Sequence, residues 1–187
     1  MERRIETERL ILRTVTVEDA GDDMRFEIER INEEHYPGFD DMVFWRENGY
    51  EREPSQMNVT EQIKKELSNP NLYIYAASAD KRYVGWISLV YIPKVGRWKG
   101  SGHVYVDELW VAPDYRRQSL GKELMKKADD LVTELGAAGI RLYVNMENPG
   151  AKALYEYCGY QENGKACLME KHQMHIDIDD QGEYICL

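Results

Sequence analysis

The clearest periodic signal lies between Gln118 and Leu135, where Leu120, Leu124, Ala128, Leu131, Val132 and Leu135 recur every three or four residues. That spacing lines one face of an α-helix, and Gly136 supplies a stop. Just before it, His103 to Val111 (HVYVDELWV) alternates apolar residues on both sides: Tyr105, Leu109 and Val111 on one, Val104, Val106 and Trp110 on the other. This predicts a central strand covered on both faces. Upstream, LYIYAAS and YVGWISLVYI around the turn ADKR predict a hairpin. Downstream, GIRLYVN predicts a strand, and NPGAKALYEYCGY a helix with Asn148 as cap and Pro149 at its first position, ending near Gly159. ACLMEKHQM predicts another strand, and HIDIDDQGEYICL either a hairpin around Asp180 to Gly182 or a tail.

The N-terminal third is less regular. RLILR (Arg9 to Arg13) predicts a strand, and Thr16, with Asp19 three residues on, caps a helix running to about Asn32. Residues 33–57 lose periodicity but carry Tyr36, Phe39, Phe44, Trp45 and Tyr50, too aromatic a set for a linker, and read as an ordered excursion over a site. A short helix from Val59 to Leu67 stops at SNPN, and PKVGRWKGSG forms a basic, glycine-punctuated connection. Hairpins early and strand–helix–strand later give an α/β (α+β) class: one mixed, mostly antiparallel sheet with helices on both faces, forming a single domain over 1–187.

Composition narrows the function classes. A net charge of −10 over 187 residues argues against a nucleic-acid binder and tolerates a cationic ligand. Cys158, Cys167 and Cys186 have neither metal-ligand spacing nor an even count, and no stretch has the apolar length of a signal or a membrane span, so a cytoplasmic protein with no membrane contact is expected. The four histidines show no HExxH, and HIDIDD lacks the spacing of a calcium loop, so no metal is expected.

The candidate chemistry begins at APDYRRQSLGKELMKKADDL, Ala112 to Leu131. A strand that turns directly into a helix leaves the first helical amides unpaired at the positive end of the helix dipole, which makes an anion site. Arg116, Arg117, Lys122, Lys126 and Lys127 add positive charge against the sign of the whole chain. An ordinary solvated helix face accounts for charge and a lone glycine equally well. No G-x-x-x-x-G-K-[ST] and no strand-borne G-x-G-x-x-G occurs, which sets aside nucleotide triphosphate and dinucleotide sites. Asp107 and Glu108 interrupt the apolar strand and are expected on opposite faces, Asp107 with His103 and Tyr105. Asn148 and Tyr155, seven residues apart, fall on one side of their helix, where Tyr155 either serves a ligand or belongs to a core stripe with Ala151, Leu154 and Cys158.

Arg116-Arg117-Gln118-Ser119-Leu120-Gly121 resembles the acyl-CoA loop [QR]-x-x-G-x-[GA] of the GNAT superfamily of N-acetyltransferases, and LWVAPDY resembles the family's preceding strand end. NPGAKALYEYCGY is similar to the family's N-x-x-A-x-x-L-Y-x-x-x-G-[FY], and LMEK to the strand after it, so the resemblance covers roughly Tyr105 to Lys171. Ser119 departs from it, standing where glycine is usual: its N–H survives, but its Cβ narrows the approach and disfavours a left-handed backbone.

The resemblance implies the GNAT fold and acetyl transfer from acetyl-CoA to a primary amine of a small molecule, peptide or protein, by direct attack in a ternary complex without a covalent intermediate. It places the CoA pyrophosphate on the amides from Arg117 to Lys122, and the acetyl carbonyl and pantetheine on the backbone of Leu109 and Val111, with a splay after Val111. Asn148 falls in the second block, and Tyr155 takes the role of proton donor to the thiolate. Asp107 is favoured to take the acceptor's proton, with Glu108 and then His103 as alternatives, and a salt bridge from either acid is nearly as good an account. Cys158 reads as structural. The acyl-CoA core spans about 103–171, the acceptor side 33–57 and 93–102, and an extension 172–187 pairs within the chain or across a homodimer. A non-catalytic acyl-CoA-binding module of the same fold is the alternative.

Overall fold

In the computed structural model, which describes residues 26–55, 57–96 and 102–164 and the backbone of 176–178 and 184–186, the first element is a strand. Strand β1 (Glu27–Arg30) is followed by α1 (Tyr36–Asn48), α2 (Glu61–Leu67), β2 (Leu72–Ala79), β3 (Arg82–Ile92) and β4 (His103–Val111). A single 3₁₀ turn, Pro113–Tyr115, leads to α3 (Leu120–Leu135), β5 (Gly139–Leu142), α4 (Pro149–Tyr157), β6 (Ile176–Ile178) and β7 (Tyr184–Cys186). The first five strands form one sheet in the order β1-β2-β3-β4-β5, antiparallel except for the parallel pair β4–β5. The expected mixed, mostly antiparallel sheet is thus present, and β6 and β7 pair antiparallel with each other, the hairpin rather than the tail of the two alternatives for HIDIDDQGEYICL. The strands expected at Arg9 to Arg13 and over 166–174 lie outside the described residues.

The helix expected to reach Asn32 is wrong over its last turn. Residues 27–30 pair with β2 instead, Ile28 opposite Ala77 and Arg30 opposite Tyr75. Phe26 and Ile28 alternate onto one face of the sheet against its core, which is the two-residue period of a strand. The hairpin β2–β3 closes through Asp80 and Lys81, both at positive φ (50° and 65°), the twist-matched geometry of a two-residue turn.

The core has two parts, one on each face of the sheet. On one, Leu120, Leu124, Met125, Ala128 and Leu131 of α3 are essentially solvent-free and pack on Ile87, Leu89, Val104 and Val106. Each such leucine contributes about 1.5–3 kcal/mol by burial. Gly136 ends α3 in a left-handed conformation, and Ala137 N–H returns to the Val132 carbonyl at 3.0 Å, the stop its position predicts. On the other face, Phe39 and Met42 of α1 meet Ile31, Ala76 and Trp86. The helix α1 is absent from the sequence reading, which saw an ordered excursion there. Asn32 Oδ1 accepts from the Glu34 and His35 amides, Pro37 occupies the first turn, and Gly49 closes the helix at φ 78°.

Candidate functional site

Strand β4 is held on both edges for only its first half. His103 to Val106 pairs with Gly139 to Leu142 of β5, and beyond Val106 that side of the strand has no ladder partner among the described residues. The opposite edge stays paired with β3 as far as Val111. The slot between the parallel strands therefore opens after Val106, earlier than the splay expected after Val111. Ala112 N–H donates to the Val84 carbonyl at 2.9 Å, so that amide faces β3. By alternation, the N–H and C=O groups of Val111 and Leu109 face the open side. Arg116 Nε donates to the Val111 carbonyl at 2.9 Å, which fixes that carbonyl at the mouth of the slot.

A β-bulge at the middle of β4 resets its faces. Ser88 pairs with Glu108 while Leu89 pairs with Val106, leaving Asp107 as the extra residue. Pairing puts Val104, Val106, Leu109 and Val111 on the α3 face, with Leu89, Ile87 and Gly85, where a Cβ on Gly85 would touch Leu120 and Leu124. Tyr105, Glu108 and Trp110 take the α1 face. The expected grouping of Leu109 and Val111 with Tyr105, and of Trp110 with Val106, is thus corrected by one inserted residue. Asp107 and Glu108 likewise share the α1 face instead of taking opposite ones. The Tyr105 phenol is raised first by burial, then by Tyr143 and by the Asp107 carboxylate.

Beyond the 3₁₀ turn, the loop Arg116 to Ser119 enters α3. Arg117 and Ser119 are both left-handed, at φ 63° and 64°. Such residues curl a loop so that its N–H groups line an anion-binding concavity, and a residue with a Cβ held there costs about 1–2 kcal/mol. Ser119 thus adopts the backbone that glycine would take freely. The helix has no side-chain cap. Its first internal bond runs from Glu123 N–H to the Ser119 carbonyl, so the amides of Leu120, Gly121 and Lys122 have no helical acceptor. Gln118 Nε2 donates to the Asp114 carbonyl at 2.8 Å and braces the loop. Lys126 and Lys127 are a turn further along and pair with Glu123 and Asp130, so the positive charge at the helix start comes from Arg116, Arg117 and Lys122.

Gly121 has a separate purpose: a Cβ there would come within 3.0 Å of Leu154 Cδ2, so glycine lets α3 start against α4. Helix α4 is capped by Asn148, whose Oδ1 accepts from Ala151 N–H at 3.0 Å. The expectation that Asn148 and Tyr155 present side chains to one ligand is therefore met only by what the cap leaves of Asn148, its amide NH2. Tyr155 is half-buried against the α3-side core and lies 6.1 Å from the Tyr160 ring. Burial, and then Cys158, raises its phenol above the ordinary tyrosine range. The Tyr160 hydroxyl is buried with no hydrogen-bond partner among the described residues, and burial likewise pushes it up. The Cys158 thiol is also raised by burial, the opposite of an activated nucleophile.

On the α1 face, Glu108 forms an ion pair with Arg46 from the last turn of α1. Arg46 was not singled out in the sequence; no local motif links positions 46 and 108, and only the bulge joins them. Its guanidinium lies over Trp86, 5.6 Å from the ring centre, and Trp86 tilts against Trp110, which meets Trp45 edge-on. Asp107 is exposed and has no ion-pair partner among the described residues. His103 is held below the usual imidazole range by burial, then by Arg141 and Lys94. A cleft of about 180 Å³ continues the α1 face between Asp41, Trp45, Arg52, Arg82 and Tyr115.

The acetyltransferase (GNAT) family matches residues 28–160. A thialysine N-epsilon-acetyltransferase of Caenorhabditis elegans is 24% identical over 135 residues, 72% of this chain and 82% of that protein. A Bos taurus thialysine N-epsilon-acetyltransferase is 34% identical over 65 residues, 35% of this chain; the chain spans only 38% of the bovine protein's length. Among solved structures, an aminoglycoside N-acetyltransferase, AAC(6')-Iy in complex with CoA, aligns with a TM-score of 0.63 over 80% of this chain and 96% of that one, at 16% identity. That last likeness is one of fold.

Proposed function

The chain belongs to the acetyltransferase (GNAT) family, and from that membership we propose that it is an N-acetyltransferase that moves the acetyl group of acetyl-CoA to a primary amine in a ternary complex. One observation carries the reading: the edge of β4 from Asp107 to Val111, unpaired among the described residues, runs directly into the uncapped start of α3. A backbone with free amides at both a strand edge and a helix N-terminus fits a ligand with an amide-bearing arm and a pyrophosphate. Acetyl-CoA, when bound, supplies an electrophilic thioester carbonyl and a thiolate leaving group.

In this reading the amides from Arg117 to Lys122, with Arg116, Arg117 and Lys122, hold the pyrophosphate. Leu109 and Val111 orient the arm and the acetyl carbonyl along the open edge, and a strand amide there stabilises the charge that develops on the oxygen. Asp107, exposed beside the slot, takes the proton from the acceptor ammonium. Glu108 is the second carboxylate at the bulge but is already engaged by Arg46. Tyr155 donates its hydroxyl proton to the departing thiolate, and its raised phenol keeps that proton available at neutral and mildly alkaline pH.

Free-thiol release from acetyl-CoA against a panel of amines tests the reading. Tyr155→Phe is expected to lower kcat by about 100-fold with CoA affinity retained, and Asp107→Asn to lower kcat/KM by a similar factor. A full rate in Tyr155→Phe removes that residue from the chemistry. A thermal shift with CoA but no thiol release with any amine replaces the enzyme by a non-catalytic acyl-CoA-binding module.

A further inference from the structure

The ion pair Arg46–Glu108 sits at the bulge of β4, beside the open edge where the acetyl group lies in the proposed reaction. Other cations of the α1 side are engaged away from that edge: Arg52 holds Asp40 and Asp41, and Arg82 holds Glu51. Arg46 and Glu108 are both partly open to solvent, with 39% and 32% of their side chains exposed, so a small molecule can reach them. The guanidinium also lies over Trp86, 5.6 Å from the ring centre, a second contact besides Glu108.

We infer that Arg46 is the carboxylate-binding residue of the acceptor site, and that the acceptor is a small amino acid or a similar zwitterion carrying both an amine and a carboxylate. The inference rests on the acetyl-transfer reading and specifies its substrate. Charge balance carries it. A plain cationic amine that approached Glu108 would compete with Arg46 for that carboxylate and place a second positive charge beside the guanidinium, with no negative group to offset it. A zwitterion replaces the internal pair one for one: its carboxylate takes the planar fork of Arg46, and its ammonium sits between Glu108 and Asp107. Asp107, with no ion-pair partner among the described residues, then stands at the nitrogen that must lose its proton. The acidic net charge of the chain points toward cationic acceptors in general; this local arrangement selects, among amines, those that also bring a negative group.

The test is a set of amino acids, each compared with its own carboxamide, which keeps the amine and removes the negative charge. With acetyl-CoA saturating, kcat/KM is expected to favour the acid over the amide by about 10-fold or more for the preferred amino acid. Arg46→Gln should bring that ratio close to one, and Arg46→Lys should restore part of it. Equal rates for acids and amides throughout, or an Arg46→Gln variant that slows both members of a pair alike, overturns the assignment. A binding measurement separates it from the catalytic reading. Trp45, Trp86 and Trp110 are three of the four tryptophans in the chain, so intrinsic fluorescence reports occupancy of this face. Amino-acid binding that is lost in Arg46→Gln, without thiol release, keeps the carboxylate site and sinks acetyl transfer; thiol release with no acid preference keeps acetyl transfer and sinks the carboxylate site.

Discussion

Helices α3 and α1 lie on opposite faces of one sheet and are attached to it by different means. Helix α3 presents Leu120, Leu124, Met125, Ala128 and Leu131, all essentially without solvent exposure, to the strands. Helix α1 buries only Met42 and, less completely, Phe39, and relies on aromatic edges and on the ion pairs of Arg46, Asp40 and Asp41. The donor side of the proposed site is therefore mounted on a packed core, and the acceptor side on contacts that can be exchanged. A fixed cofactor shape suits the first, and variation in acceptor suits the second. The largest test of this contrast is Leu124→Ala, which should cost about 2–5 kcal/mol in chemical denaturation by leaving a cavity between α3 and β3. A loss no greater than that from breaking an ion pair on α1 would mean that the two helices are not held differently.

Ser119 sharpens the comparison at the point where the packed side meets the proposed ligand. Its φ of 64° is strained for a residue with a Cβ, yet α3 begins there without a side-chain cap. Ser119→Gly removes about 1–2 kcal/mol of strain and adds about 0.5–1 kcal/mol of unfolded-state freedom, so the expected gain in stability is at most about 1.5 kcal/mol. CoA should bind more tightly to the variant in calorimetry, because the loop amides are approached without a side chain in the way. Weaker binding would mean that the hydroxyl takes part in holding the anion.

The same contrast explains what could be read from the amino-acid order. The α3 stripe, the stop at Gly136, the β2–β3 hairpin and the cap at Asn148 are local: periodicity and turn chemistry within a few residues determine them. The loop from Arg116 to Gly121 stood out through its resemblance to the family's acyl-CoA motif, since charge and a lone glycine fit a solvated helix face equally well, and Gly121 is required by its approach to Leu154 on another helix. What escaped was non-local. Residues 27–30 become a strand because β2 offers them an edge, which the helical reading begun at Thr16 does not contain. Helix α1 lacks a continuous apolar stripe, so nothing in its periodicity marked it. The bulge at Asp107 inserts one residue opposite Ser88 and Leu89, and no feature of DELWV on its own reveals that. That single insertion decides which carboxylates face α1, and so which residues meet Arg46.

The smallest expected effect on stability is the one that best separates the two sides by function. Arg52 donates to Asp41 at 2.6 Å and to Asp40 at 2.5 Å, and Asp41 also accepts from the Ser55 amide at 2.9 Å, so one guanidinium pins the chain after α1 along the cleft. The group is solvent-facing, and its own ionisation is held higher by the Asp41 and then the Asp40 hydrogen bonds. Interactions of this kind are weak in water and screened by salt. Arg52→Ala should therefore shift Tm by less than either substitution above, and the shift should shrink further as salt is raised. Its kinetic effect should be larger than its thermal one: freed from Asp40 and Asp41, residues 51–55 no longer line the cleft in one position, so KM for the amine should rise while the Kd for CoA stays the same. If the Kd for CoA rises in step with KM, the cleft beside α1 and the amides at the start of α3 belong to a single coupled site, and the division between a packed donor face and an exchangeable acceptor face fails.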